Sequence, residues 1–169
     1  VGSFLNQQID TRLLRKCGEE ILRLFSGCGI TKVLTIEASG IALATATGLE
    51  LDVPVIFAKK HITSNVDGDV YSTTVHSFTH NTDYSVVVSR DYLLPTDKVL
   101  LVDDFLANGA ALRGLVALCA QANAQVVGAA IAIEKCFQGG GDALRASGLR
   151  VESLAEIESM EAGNIIFRS

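Results

Sequence analysis

At 169 residues, 49% hydrophobic and 20% charged, the chain has the size of one compact domain with a core covering most of its chain surface, and two domains would be a squeeze. Its 14 Lys plus Arg against 19 Asp plus Glu leave a formal net charge of -5, which excludes gripping nucleic acid by phosphate neutralisation alone. No apolar run approaches the roughly 18 residues that span a bilayer, and the start lacks the order of a secretory signal, so a soluble cytoplasmic protein is expected, with no membrane partner. Cys17, Cys28, Cys119 and Cys136 show neither CxxC nor Cys/His metal spacing and read as buried free thiols. The chain opens on Val1 and its only methionine is Met160, so residues ahead of Val1 are expected.

From Asp10 the apolar positions Leu13, Leu14, Cys17, Ile21, Leu22, Leu24 and Phe25 recur at helical spacing, with Asp10 or Thr11 as cap and Gly27 and Gly29 as the stop. KVLTIE (32–37) reads as a strand, the 37–40 segment as a tight loop, IALATATGLEL (41–51) as a helix and VPVIFA (53–58) as the next strand. Such a βαβ unit makes parallel sheet and gathers loops at the carboxyl ends of strands, where ligands bind. A polar loop over 59–69 feeds an antiparallel hairpin, YSTTVHSFT (71–79) and YSVVVSR (84–90), with a turn near 80–83. A second parallel section follows: KVLLVD (98–103), a loop through Gly109, a helix to about Asn123, and QVVGAAIAIEK (125–135) as a strand. GDALRASG (141–148) reads as a helix and RVESLAEI (150–157) as a further strand. Near-continuous apolar strands indicate a sheet covered by helices on both faces.

The segment VLLVDDFLANGAA (99–111) carries the most chemistry. A buried strand ends in Asp103 and Asp104, and a turn of small residues, Ala107, Asn108, Gly109, Ala110 and Ala111, opens a helix. Backbone N–H groups at a helix start, free of bulky side chains, form a nest for a phosphate. The acids could accept hydrogen bonds from vicinal ribose hydroxyls, which with the phosphate spells a phosphorylated ribose; acids after a strand also hold Mg²⁺ in receiver-type domains.

Four apolar residues, two acids, two apolar residues and a small phosphate loop resemble the 5-phosphoribosyl-1-pyrophosphate (PRPP) motif of type I phosphoribosyltransferases. With GSFLNQQID, TIEASGIA, VPVIFAKKH, IEKCFQ and RVESLAEIESM, the chain is similar to the bacterial xanthine phosphoribosyltransferase family over nearly its whole length. The resemblance implies an α/β fold of the type I phosphoribosyltransferase kind. Its mostly parallel central sheet is flanked by helices, with a flexible antiparallel hairpin over 59–90 acting as a lid and a small hood. It implies a single domain over 1–169, with hood segments about 1–9 and 137–169 and a core about 10–136. The implied reaction moves the 5-phosphoribosyl group of PRPP to xanthine, giving XMP and pyrophosphate in purine salvage. Mg²⁺ would arrive with PRPP, without direct protein ligands, and a homodimer is implied.

Residue by residue, the resemblance gives Asp103 and Asp104 to the ribose and the 107–111 loop to the 5-phosphate. Ala38, Ser39 and Gly40 match the pyrophosphate loop, although Ser-Gly before a helix can equally be an ordinary N-cap. Lys59 and Lys60 end their strand on the ligand side, where a cation could meet diphosphate or simply be solvated; the family has Arg-Lys there, and Lys59 has less bidentate capacity than Arg. Asn6, Lys135 and Phe137 match purine-contact positions, with Phe137 open to a core role as well. Relatives with a DTGKT-like loop carry an acid where Ala107 stands, so that general acid or base is absent, as in the xanthine family itself. The family also carries a further stretch ahead of FLN. His61, His76 and His80 show no metal spacing and read as surface or packing residues. Two other functions share these features: a hypoxanthine/guanine-type phosphoribosyltransferase, and a non-catalytic PRPP-sensing purine regulator.

Overall fold

The computed structural model describes residues 3–61, 69–77, 81–161 and 163–169. His80 and part of the expected lid therefore lie outside the described residues. Eight strands form one sheet in the order β3-β4-β2-β1-β5-β6-β7-β8. Strands β1 (Lys32–Ile36), β2 (Val55–His61), β5 (Lys98–Leu106), β6 (Gln125–Lys135) and β7 (Val151–Glu161) run parallel, while β3 (Val70–Ser77), β4 (Thr82–Ser89) and β8 (Asn164–Phe167) join antiparallel.

Helix α1 (Thr11–Leu24) starts where Asp10 Oδ1 accepts the N–H groups of Arg12 and Leu13 at 3.0 and 3.1 Å, an N-cap that satisfies two otherwise orphaned donors. With α2 (Gly40–Leu51) it covers one sheet face: Ile21, Phe25, Leu43 and Ala44 meet Val33, Leu100, Val102 and Ala130 in one buried cluster. Leu5 joins that cluster, which ties down the N-terminal segment. On the opposite face α3 (Ala110–Gln121) brings Leu112, Leu115 and Leu118 against Leu34, Val99, Leu101 and Ile131. The alternation of Val99 and Leu101 against Leu100 and Val102 explains why β5 is apolar at every position before its acids: both faces are covered. Helix α4 (Gly140–Ala146) follows a 3-10 turn, Cys136–Gln138, and sends Leu144 into the α3 side.

Three strands differ in extent from their sequence pattern. β2 begins after Pro54 and runs on through Lys59 and Lys60, because beyond Ala58 it exchanges its pairing partner: Lys59, Lys60 and His61 pair antiparallel with Val87, Val86 and Ser85. The lysines are therefore strand residues rather than a strand end. β5 likewise continues through both acids to Leu106, held in register against Glu134 of β6. β7 runs to Glu161 and turns into β8, a short exposed strand that the sequence reading does not separate. Of the four thiols, only Cys119 is buried; Cys17, Cys28 and Cys136 are half-buried, and all four are free. Burial, aided by the charge of Asp97, pushes the Cys119 thiol up to about 12. Among the described residues no helix is long and apolar enough to cross a membrane.

Candidate active site

The strand order reverses between β1 and β5: from β1 the chain moves to β2 on one side, then returns to place β5 on the other. Loops leaving the carboxyl ends of two such strands diverge to opposite faces and leave a crevice, the ordinary ligand position in an open α/β sheet. Here the crevice is walled by the 37–40 loop after β1 and the 107–109 turn after β5.

The first wall is built from backbone. Glu37 N–H donates to Ala58 O at 3.0 Å, and Glu37 Oε1 accepts the Lys60 N–H at 2.5 Å, so this glutamate ties the loop to β2. The Glu37–Ala38 peptide is cis. Ser39 holds the N-cap position of α2 without a side-chain capping bond, which removes the ordinary explanation of the Ser-Gly pair. Gly40 lies hard against its neighbours: a Cβ there would collide with Thr35 Oγ1 and stand 3.0 Å from Asp103 Oδ1. The expected pyrophosphate loop and the expected ribose acid are thus adjacent, as one bound sugar diphosphate requires.

Asp103 and Asp104 are both buried, and they hold their own backbone. Asp104 N–H donates to Asp103 Oδ1 and Phe105 N–H to Asp104 Oδ1, each at 2.9 Å. Burial raises the Asp103 carboxyl well above the ordinary carboxylate range, and the negative charge of Asp104 raises it further; the Asp104 amide and the Lys60 charge oppose this only in part. Lys60 Nζ lies 5.2 Å from the ring centre of Tyr84 on β4, and Tyr84 itself is raised by burial and by the charge of Asp103. Lys60 is therefore the lysine that the site's electrostatics involve.

In the second wall, Asn108 Oδ1 accepts Ala110 N–H at 2.9 Å and Gly109 adopts φ 83°, a left-handed conformation that a side chain would strain. The chain then enters α3 with the small side chains of Ala110 and Ala111, so that the N–H groups of the helix start are not covered by the residues that carry them. Arg113 Nη1 donates to Asn108 O at 3.1 Å, and Gly140 N–H donates to Ala107 O at 3.1 Å, so the turn is clamped from both α3 and α4.

Lys135 closes β6, with Nζ 5.3 Å from the Phe105 ring centre, on the same strand-end surface as the acids. Phe137 is 50% exposed in the 3-10 turn, which disposes of a core role and leaves its ring open to a partner. Asn6 is exposed and follows Leu5, whose burial beside Ala132 anchors the N-terminal segment next to β6. His76 pairs with Asp83 across the hairpin, Nδ1 to Oδ1 2.6 Å, an exposed pair consistent with a surface role.

Residues missed by the sequence reading surround the second wall. Glu134 is 1% exposed, and its carboxylate receives Arg145 Nη1 at 2.9 Å, Arg145 Nη2 at 2.7 Å and Ser153 Oγ at 2.5 Å. Burial acts to raise Glu134, but these donors and the Arg145 charge outweigh it and the net direction is down. An acid inside the apolar run AAIAIEK was the available signal, since a buried carboxylate must find a partner. Thr35 Oγ1 is, among the described residues, the buried side-chain polar atom with no hydrogen-bond partner.

A nest at a helix start, an acid pair and a second backbone loop thus face each other across the switch point. The phosphoribosyl transferase domain family matches residues 4–143, and the chain belongs to it. Among curated relatives, it is 55% identical over 167 residues to the xanthine phosphoribosyltransferase of Moorella thermoacetica, covering 99% of this chain and 85% of the relative. It is likewise 55% identical over 171 residues to the xanthine phosphoribosyltransferase of Bifidobacterium longum, covering 99% and 89%. Among solved structures, the adenine phosphoribosyltransferase of Rhodothermus marinus matches with a TM-score of 0.74 and 28% identity, covering 86% of this chain and 80% of that one. The Giardia lamblia enzyme complexed with 9-deazaadenine shares the fold at TM-score 0.79 and 24% identity, covering 89% and 82%.

Proposed function

We propose that this enzyme transfers the 5-phosphoribosyl group of PRPP to xanthine, releasing pyrophosphate and forming XMP in cytoplasmic purine salvage. The observation that carries this is the meeting of Gly40, Asp103 and the Gly109 turn at one switch point, with relatives of 55% identity named for xanthine transfer. Asp103 and Asp104 hold the ribose hydroxyls, and the N–H groups of Ala107, Asn108, Gly109 and Ala111, joined by that of Ala110 once it leaves Asn108 Oδ1, hold the 5-phosphate. Ala38, Ser39, Gly40 and Lys60 receive the diphosphate, whereas Lys59, the next residue along β2, points to the opposite face and lines a groove with Phe57. Holding both ends of the donor fixes ribose C1 for in-line attack by a purine nitrogen, which converts binding into rate by orientation. C1 becomes cation-like as the diphosphate departs, and the neighbouring carboxylates favour that positive charge.

Mg²⁺ would enter on the PRPP diphosphate rather than on protein ligands, since the described residues hold no group of three or more acids, histidines or cysteines placed to bind a metal. When bound, that ion offsets the charge accumulating on the leaving group. The hood segments, about 1–9 and 137–169, bring Asn6 and Phe137 to the base, and Lys135 reaches it from the end of β6: the amide and ammonium meet the carbonyl edge and the ring of Phe137 covers the face. Xanthine carries a carbonyl at C2 where guanine carries an amino donor, and a mismatch there leaves a buried polar group unpaired. With xanthine, hypoxanthine and guanine assayed in parallel, kcat/KM is expected to favour xanthine by about 100-fold or more, as hydrogen-bond-based selection does. Preference for guanine would overturn the base assignment, and absence of pyrophosphate release with any base would favour a sensor over an enzyme.

A homodimer would use the outer face of the β2-β4-β3 end. There an apolar groove of about 520 Å³ is lined by Val55, Phe57, Val70, Val87, Val88 and Tyr92, and Phe57 and Tyr92 stay substantially exposed. Sedimentation is expected to give twice the chain mass for the wild type, and Phe57→Glu to shift it to monomer by placing an unpaired charge in the contact. A wild-type monomer would rule this interface out.

A further inference from the structure

The buried Glu134 carboxylate lies outside the groups assigned to the substrate, yet it receives three side-chain hydrogen bonds. Two nitrogens of Arg145 and the Ser153 hydroxyl converge on it, and Arg145 also stands 3.5 Å from Asp142 and 3.7 Å from Glu156. Arg145 belongs to α4, and the start of that helix is pressed between this carboxylate and the 107–109 turn. A Cβ on Gly141 would collide with Glu134 Oε1. A Cβ on Gly140 would collide with Ala107 O and the Asn108 carbonyl carbon, and would stand 2.6 Å from Gly109 N. Gly140 N–H meanwhile donates to Ala107 O at 3.1 Å, and the site of a Gly109 Cβ lies 3.1 Å from Leu144 Cδ1. The two glycines let α4 reach both surfaces at once, so the position of the turn is set by where the ion pair holds the helix.

We propose that the Glu134–Arg145 pair is a positioning pair that sets the 107–109 turn in the geometry needed to bind the donor's 5-phosphate, acting through the Gly140–Gly141 start of α4. It rests on the assignment of that turn as the 5-phosphate cradle. A preformed nest binds well only if its N–H groups already point at one place, and a shift of a fraction of an ångström in the turn spreads them. The diphosphate loop after β1 is built from other elements and does not depend on α4.

Two ligands that each occupy half of the donor site separate this role from ordinary stabilisation. Ribose 5-phosphate and inorganic pyrophosphate are titrated calorimetrically into wild type and Glu134→Gln, below the melting temperature of each. The expected result for Glu134→Gln is about a tenfold weaker ribose 5-phosphate affinity with pyrophosphate affinity within about twofold of wild type, and a KM for PRPP raised about tenfold with kcat little changed. Ser153→Ala, which keeps the ion pair and removes one donor, should shift ribose 5-phosphate in the same direction by about threefold, and it serves where Glu134→Gln does not fold. Equal ribose 5-phosphate affinity in wild type and a folded variant, with only a lower melting temperature, overturns the positioning role. Loss of both affinities in step overturns it too, since the effect is then on the whole domain. A wild type that binds pyrophosphate but not ribose 5-phosphate overturns the cradle assignment itself, and the positioning role with it.

Discussion

Asp103→Asn is expected to lower kcat/KM by about 100-fold or more while raising the melting temperature of the ligand-free protein at pH values where the wild-type carboxyl is ionised. The carboxyl is buried 6% exposed beside Asp104, and burial, then the charge of Asp104, makes its ionised form unfavourable in the folded chain. Its folded pKa therefore lies above the unfolded value of about 3.9. A folded state that holds a proton more tightly than the unfolded one is stabilised at pH below the unfolded value, and loses that stabilisation as pH rises through the folded value. At pH above that folded value the wild type carries a poorly solvated charge that asparagine removes. The amide oxygen can still accept the Asp104 N–H, now met at 2.9 Å, and the amide nitrogen can face the Asp104 carboxylate. On this assignment function needs the charge and stability does not, the usual conflict at an active site.

Calorimetric melting of both proteins across a pH series, with initial rates over a range of PRPP concentrations from which kcat/KM is taken, reads both effects. For a domain of this length each kcal/mol corresponds to about 2–4 °C. The wild-type melting curve should fall with rising pH over the window above about 3.9 relative to that of Asp103→Asn. A variant that melts lower than wild type at every pH, or that keeps its rate, contradicts the assignment of Asp103 as the strained, ribose-binding acid.

Gly40→Ala should be the second severe change. The new Cβ collides with Thr35 Oγ1 and crowds Asp103 Oδ1 at 3.0 Å, and neither has room to withdraw, since Thr35 is fully buried and Asp103 nearly so. Overpacking of this kind costs about 1–3 kcal/mol. The only relief is to push the 37–40 loop outward, away from the diphosphate, and a displacement of about 1 Å at a positioned group costs about 100-fold in rate. Thr35→Ala offers the test of cause. Its hydroxyl has no hydrogen-bond partner among the described residues, so removing it forfeits no bond, and it opens the space that the alanine methyl needs. In a double-mutant cycle, Gly40→Ala with Thr35→Ala should melt higher than Gly40→Ala alone and regain part of its rate. Additive losses would show that the collision is not the cause.

Much of the site could be read from the chain before folding. The run DDFLANG combines an apolar strand with two acids and a small-residue turn, and the structure gives Gly109 the left-handed conformation its turn demands, although β5 runs on through both acids to Leu106 rather than ending at them. Other residues were legible only in type. Lys59 and Lys60 read as a basic strand end, but both lie in β2 because β4 supplies its hydrogen bonds beyond Ala58. Phe137 could have been core or ligand contact, and its exposure was decided by a 3-10 turn that follows β6.

What the amino-acid sequence determined by itself is whatever a few neighbouring residues settle among themselves: the Asp10 cap, the apolar periods of α1 and β5, the glycine turn and the acids before it. Only the tertiary structure decided that β1 and β5 lie side by side, that Gly40 touches Asp103, and that Glu134 finds Arg145 and Ser153. Local preference acts over one turn of helix or one strand. Which strand pairs with which, and which partner a buried charge meets, depends on contacts between residues far apart in the chain, and those are chosen by the packing of the whole core.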